Sequence, residues 1–238
     1  YYCSFEAAII GSFYGSHLAR ARKEGRIRHI EWDESLPVIT VWDIGYSDDT
    51  VILFVQVLAG EVRIIDTYDA NGRDLEHYAD VIKGKPWASN YGKHWLPHDA
   101  QAKTLAAAGR SVYEQFTKDH GLENVSILQN TNTEQQGIMA ARQLFPRLWI
   151  DAKQEKFIDA LTNFRREWDD NKKCFREKPV HDWTNHYADA LRYLSWVWKE
   201  PVVKKPVSVG RTMSVGNTST VTMDDLLKSA KRKKLKYD

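Results

Sequence analysis

The stretch from Val38 to Tyr68 constrains the fold more than any other part of this chain. Three β-rich segments follow one another there: Val38 to Trp42, Val51 to Val57 and Val62 to Tyr68. Their links, around Gly45 to Asp49 and at Ala59-Gly60, are of hairpin length. β-Branched and aromatic residues favour strands, and short glycine-containing links join antiparallel neighbours. A three-stranded meander is therefore expected. After Gly72 the pattern becomes helix from Asp74 to Ile82, strand up to Trp95-Leu96-Pro97, helical segments across Ala102 to Lys118, and strand from Val125 to Leu128. Helices alternating with strands imply parallel pairing.

Helical periodicity governs the remainder. Ile138, Ala141, Leu144 and Leu148 form one apolar stripe, and Phe157, Ile158, Leu161, Phe164 and Trp168 form a second. A last helix runs from about Trp183 to Trp198 and stops before Pro201. The expected class is α/β, a mixed sheet of five or more strands in which an antiparallel meander precedes parallel strands. With flanking helices this is the order of an RNase H-like fold. Residues 1–35, with Phe5, Ile9, Phe13 and Leu18 near helical spacing, read as a lead-in outside the core. Residues 36–200 form the main domain. Residues 201–238 read as a linker and basic tail, with a helix-capping pattern at Thr222-Met223-Asp224-Asp225.

No apolar run approaches the roughly 20 residues a membrane helix needs, so no membrane span is expected. The start lacks the basic and apolar regions of a secretory signal, and a reducing cytoplasmic setting is favoured. Cys3 and Cys174 lack zinc-ligand spacing and read as buried or incidental thiols. The net charge of +2 is uneven. Residues 201–238 hold nine Lys or Arg against three Asp, leaving −4 on the rest. A slightly acidic body is no general polyanion binder, so nucleic-acid chemistry there calls for local basic patches or bound cations.

Three acids stand where elements change. Asp43 ends an apolar strand before a glycine-containing turn, where it either caps the turn or meets a cation that offsets its desolvation. Asp99 follows the strand at Trp95-Leu96, where helix N-capping is the competing reading. Asp189 is mid-helix beside apolar residues; offsets of four, three and four place Asp182, His186, Asp189 and Tyr193 on one helix face. A solvated polar face is the alternative, and for Asp182 a helix-dipole interaction suffices. Hard cations take carboxylate oxygens from several elements, and a pair of Mg²⁺ or Mn²⁺ ions serves phosphodiester hydrolysis. His98 and His186 are candidates to orient water, move a proton or stabilise a phosphate.

At these residues the chain resembles the nuclease domain of tailed-phage terminase large subunits, over roughly residues 1–200. Cys3-Ser4-Phe5-Glu6-Ala7-Ala8 looks like the stretch that follows that family's ATPase domain. Trp42-Asp43-Ile44-Gly45 with Asp49-Thr50 looks like its first acidic motif, Pro97-His98-Asp99 its second, and His186-Tyr187-Ala188-Asp189-Ala190-Leu191-Arg192-Tyr193 its third. The resemblance implies metal ligation by Asp43, Asp99 and Asp189, with Asp182 and His186 as neighbours in the catalytic set, and two Mg²⁺ or Mn²⁺ ions. It implies cleavage of double-stranded phage DNA during genome packaging in the host cytoplasm, with the portal protein, the small terminase subunit and an ATPase domain of the same parent chain as partners. Gly-x-x-x-x-Gly-Lys-Ser/Thr does not occur, so the chain reads as an excised C-terminal domain without ATPase activity of its own.

Basic candidates for phosphate contact are Lys83, Lys85, Lys103, Arg110, Arg165, Arg166, Lys172, Lys173, Arg176 and Lys178. Of these Lys103, Arg165, Arg166, Lys172 and Lys173 are carried as DNA-binding residues. The charged segment Asp169 to Pro179 reads as a hairpin or loop over the cleft. The run Lys231 to Lys236 reads as a solubilising tail or a nonspecific DNA contact. Two other functions fit the same residues: another RNase H-like nuclease such as a resolvase or transposase core, and a noncatalytic DNA- or portal-docking module.

Overall fold

A computed structural model describes residues 11–45, 48–103, 108–129 and 133–199. Phe5, Ile9, Cys3, the linker, the Thr222 capping pattern and the basic run at Lys231 lie outside the described residues.

In chain order the elements are α1 (Gly15–Lys23), β1 (Ile27–Arg28), β2 (Val38–Asp43), β3 (Asp49–Leu58), β4 (Glu61–Asn71), α2 (Leu75–Lys83), β5 (Tyr91–Leu96), α3 (Val112–Glu114), β6 (Val125–Ile127), α4 (Glu134–Leu144), β7 (Leu148–Asp151), α5 (Glu155–Asn163), β8 (Arg166–Asp169), β9 (Cys174–Pro179) and α6 (Thr184–Val197). Seven strands form one sheet in the order β1-β7-β4-β3-β2-β5-β6. The meander β2-β3-β4 is antiparallel, and β5 and β6 add in parallel beside β2. That block is the mixed sheet the pattern predicts. The left-handed Ala59 and Gly60, at φ 50° and 85°, close the β3–β4 hairpin.

Three expectations are corrected. Leu148 does not continue the α4 stripe: the helix stops at Leu144, Pro146 sits in a 3₁₀ turn, and Leu148 opens β7, which pairs in parallel with β4 and β1. Likewise α5 ends at Asn163, and Trp168 belongs to β8. Of the helical segments expected across Ala102 to Lys118, α3 running into a π-helical turn at Gln115–Asp119 is observed, and a 3₁₀ turn at His98–Gln101 precedes it. The segment before Val38 is no bystander: Phe13, Tyr14, Leu18 and Ala21 are buried, and Arg26 donates to the Phe145 and Leu148 carbonyls. A short amphipathic helix needs a surface to cover, and α1 finds it on α5.

The sheet carries a core on each face. One unites Ile39, Val41, Val51, Leu53 and Val55 with α1, α4, α5 and α6; the other unites Val38, Trp42, Ile52 and Phe54 with Tyr78, Ile82, Phe116 and Leu122. Successive strand residues alternate sides, so Asp43 shares the side of Ile39 and Val41, beneath α6. The opposite side anchors β2 by a buried chain in which Trp42 Nε1 donates to Thr40 Oγ1, itself bonded to His94 Nδ1 at 2.8 Å. Burial alone pushes His94 down to about 3 and keeps it neutral.

The segment Asp169 to Pro179 is part of a two-stranded hairpin, β8 against β9. Trp168 packs edge-on against Phe175, and the Gln135 side chain of α4 donates to the Glu177 carbonyl. Cys174 is exposed on β9, so the buried reading does not hold for it. Among the described residues no helix is long and apolar enough to cross a membrane.

Candidate metal centre

β2 and β5 run parallel with Val41 beside Trp95, so both deliver their ends to one edge of the sheet. Asp43 is the last residue of β2, and Asp99 stands in the 3₁₀ turn three residues beyond β5. The carboxyl edge of parallel strands is where α/β folds gather ligands. The third acid comes from α6, which buries Tyr187, Ala188, Ala190, Leu191 and Leu194 and packs on β2, β3, α4 and α5. That packing sets His186 Nδ1 3.0 Å from Asp43 Oδ2, across 143 residues of sequence. A carboxylate only accepts, so Nδ1 carries the proton and Nε2 is left out of this bond. Asp189 follows one turn later, with Oδ1 in an ion pair with Arg192 Nη2 at 2.6 Å.

The charges of these groups act on one another. Burial raises the Asp43 pKa first and Asp99's negative charge raises it further, while His186 and Arg192 oppose. Asp189 is pushed up to about 6, first by burial and then by Asp43, against the pull of Arg192. The bond to Asp43 raises His186, with Asp48 and Asp49 adding to it. Tyr193 is raised by burial and then by the charges of Asp43, Asp189 and Asp99 together. One phenol thus feels all three carboxylates.

Not every expected residue joins. Among the described residues no three His, Cys, Asp or Glu side chains stand close enough to hold a metal ion. Asp43 and Asp189 each have an oxygen taken up by an internal partner, the His186 ring or the Arg192 guanidinium. Asp182 precedes α6 rather than lying on its face: Oδ1 accepts from the Thr184 backbone and hydroxyl, and Oδ2 lies 3.5 Å from Arg165. The donor set nevertheless suits a hard divalent ion. Asp43 and Asp189 are partly buried and repel one another, Asp99 is exposed, and carboxylate oxygens are the donors such a cation takes.

The basic candidates are scattered. Lys103 lies 4.0 Å from Glu114, Arg165 is drawn to Asp182, Arg166 lies over the Phe13 ring, and Lys173 pairs loosely with Asp170 beside Lys172 in the hairpin turn. Lys85 is taken by Asp66 at 2.6 Å and lies over Phe54. Arg110 pairs with Asp119, and Arg176 with Glu167 and Asp169. Residue spacing did not single out Arg192. Its offset of three from Asp189 on a helix was the available signal.

A mixed sheet in this strand order, with acids at the carboxyl edge of its parallel strands and a late helix bringing a third, defines the RNase H-like class. Within it, a profile of the family described as Terminase RNaseH-like domain matches residues 40–195, and the chain belongs to that family. The large terminase subunit of Escherichia phage T5 is 26% identical over 193 residues, covering 79% of this chain and 41% of its own. The chain thus spans about two fifths of that relative's length. Among solved structures, the nuclease domain of the P22 large terminase matches with a TM-score of 0.52 and 19% identity, covering 72% of this chain and 87% of that one. The large terminase nuclease of thermophilic phage G20c with bound cobalt matches with a TM-score of 0.50 and 17% identity, covering 77% and 97%. Large terminase of thermophilic bacteriophage D6E matches with a TM-score of 0.53 and 14% identity, covering 71% and 40%.

Proposed function

We propose that this chain is a divalent-metal-dependent endodeoxyribonuclease that cuts double-stranded phage DNA during genome packaging, with Asp43, Asp99 and Asp189 holding two Mg²⁺ or Mn²⁺ ions. The observation that carries this reading is the docking of α6 on β2, which sets His186 on Asp43 and couples the charges of Asp43, Asp99 and Asp189. The G20c terminase nuclease, alike in fold, has been solved with bound cobalt and with bound magnesium.

Such ions, when bound, activate water and stabilise the departing oxygen of a phosphodiester. The remaining roles belong to the chain. Asp43 orients the His186 ring through Nδ1, so that Nε2 is the nitrogen available to hold or move a proton. Arg192 supports the ionised form of Asp189. Asp182 fixes the first turn of α6 through Thr184 and so acts by positioning. Lys103, Arg165, Arg166, Lys172 and Lys173 are the proposed contacts to the DNA backbone. By family membership we assign the parent protein an ATPase domain, a portal protein and a small terminase subunit as partners, and the host cytoplasm as its setting. The same membership speaks against a resolvase or transposase core.

Internal pairing of both acids is also what a noncatalytic docking module would display, and one assay separates the two. Supercoiled plasmid incubated with the protein and Mn²⁺ is expected to be nicked and linearised, with no cutting in EDTA and none by Asp43→Asn. Equal cutting by Asp43→Asn would remove Asp43 from the chemistry. A parent protein that binds plasmid without cutting it at any Mn²⁺ concentration would favour docking.

A further inference from the structure

The β8–β9 hairpin stands apart from the seven-stranded sheet, and a two-stranded hairpin by itself is marginally stable in water. Its third partner is the segment at residues 11–13. Ser12 forms an antiparallel bridge with Arg165, and the Arg166 amide donates to the Gly11 carbonyl at 3.0 Å. Phe175 of β9 reaches the same segment. A Cβ on Gly11 would meet its Cε1 at 2.7 Å, and Trp168 packs edge-on against the same ring. Gly11 also holds a φ of 88°, which a side chain resists. The segment is itself pinned to the domain. Phe13 is buried, its amide donates to the Phe164 carbonyl at 2.9 Å, and its carbonyl accepts from Arg142 Nε at 3.1 Å. Ser12 Oγ donates to the Thr162 carbonyl at 3.1 Å and accepts from the Gly15 amide at 2.9 Å. β9 has a second tie, to α4 through Gln135.

We propose that residues 11–13 are the seat of this hairpin, a third strand that orders it and sets where the turn at Lys172 and Lys173 meets the phosphates of duplex DNA. This rests on the nuclease reading above, which assigns those two lysines to the DNA backbone. The turn has little of its own to hold it. Lys172 and Lys173 are exposed, and the pair between Lys173 and Asp170 spans 3.7 Å between two solvated side chains, a contact of small worth. Arg176 adds no free charge, since Glu167 and Asp169 share it. Order therefore enters the hairpin from its base, where Gly11, Ser12 and Phe13 meet Phe175, Arg165 and Arg166. A turn ordered from its base moves with that base, so a shift of residues 11–13 is relayed to the two lysines. Unseated, the turn would have to be ordered on binding, which costs affinity.

Two measurements on the full 238-residue chain in EDTA test this. Amide hydrogen exchange reads the seat, and duplex binding by fluorescence anisotropy across a salt series reads its consequence. Gly11→Ala drives a methyl into Phe175, and Phe175→Ala removes the ring. Each is expected to speed exchange of the β8 and β9 amides by about 10-fold or more, the order that a disrupted packing contact implies, while the β3 amides keep their protection. Substituting Ala for Lys172 and Lys173 together should lower the salt slope of binding by about 2, near 0.9 for each phosphate contact. Gly11→Ala should lower it comparably, and adding the two lysine substitutions to Gly11→Ala should change it little further. Unchanged exchange of β8 and β9 in both variants would overturn the seat, and so would faster exchange throughout β3, which would make the segment a support of the whole domain. Faster exchange in the hairpin with an unaltered salt slope, or a parent slope indifferent to the two lysines, would overturn the relay to DNA. Failure of plasmid cutting in Mn²⁺ would instead count against the nuclease reading, and neither measurement depends on cutting.

Discussion

The Asp189 carboxylate should weaken the fold that carries it, and Asp189→Asn measures by how much. Its pKa is raised to about 6 from 3.8, with burial as the leading cause and the attraction of Arg192 already included. Carrying the negative charge in the folded state therefore costs about 3 kcal/mol relative to the unfolded chain, from a difference of roughly two pKa units. A raised acid favours the folded state at low pH, where it is protonated in both states. That advantage is lost as pH climbs from the unfolded value near 4 through about 6. Asparagine has nearly the same shape and never ionises. The variant should thus match the parent at pH 4 and exceed it at pH 8 by about 3 kcal/mol, or about 6–12 °C in Tm for a domain of this size. Urea denaturation and thermal scans in EDTA at both pH values provide the comparison. Parent and Asp189→Asn of equal stability at pH 8, or a variant weaker than the parent there, would refute the reasoning. A gain in stability bought with loss of plasmid cutting is the expected trade.

Three further outcomes follow from the same structure. In Asp43→Asn the His186 imidazole keeps a neutral acceptor but loses the carboxylate charge that raises its pKa, so its NMR titration should shift downward; an unmoved titration would mean that the 3.0 Å contact does not persist in solution. Gly45→Ala should destabilise the domain by about 1–3 kcal/mol, the usual cost of overpacking, because its Cβ would meet the Asp48 carbonyl at 2.8 Å; chemical denaturation reads this directly. Phe116→Ala, at a fully buried ring stacked edge-on with Trp42, should cost about 3–5 kcal/mol by the same measurement.

How much of this was legible beforehand depended on whether the signal was local. Val38 to Tyr68 announced its meander because alternation, β-branching and hairpin links all operate within a few residues. The same alternation put Asp43 on the side of Ile39 and Val41, although it could not say which helix would cover that side. Local rules failed where one pattern served two structures. Leu148 kept the spacing of a helical stripe, yet its neighbours Trp149 and Ile150 pair with Arg63 and Ile64 of β4, a tertiary preference that overrides period. Ile27–Arg28 is too short to show any period, and exists as a strand because β7 offers it an edge. At the site, Asp43, Asp99 and Asp189 came from motif resemblance. The partnership of Asp189 with Arg192 was available at helical spacing. The bond between Asp43 and His186 was not, since no spacing rule spans 143 residues.

That separation also sets when the proposed site can assemble. Domains emerge from the ribosome amino end first, and a growing chain that has completed its entire meander still lacks the helix bearing His186, Asp189 and Arg192. Until that helix docks, a half-made copy lacks two of the side chains of the proposed metal site, His186 and Asp189. Fraying of this one helix in a finished copy would take the proposed site apart just as completely.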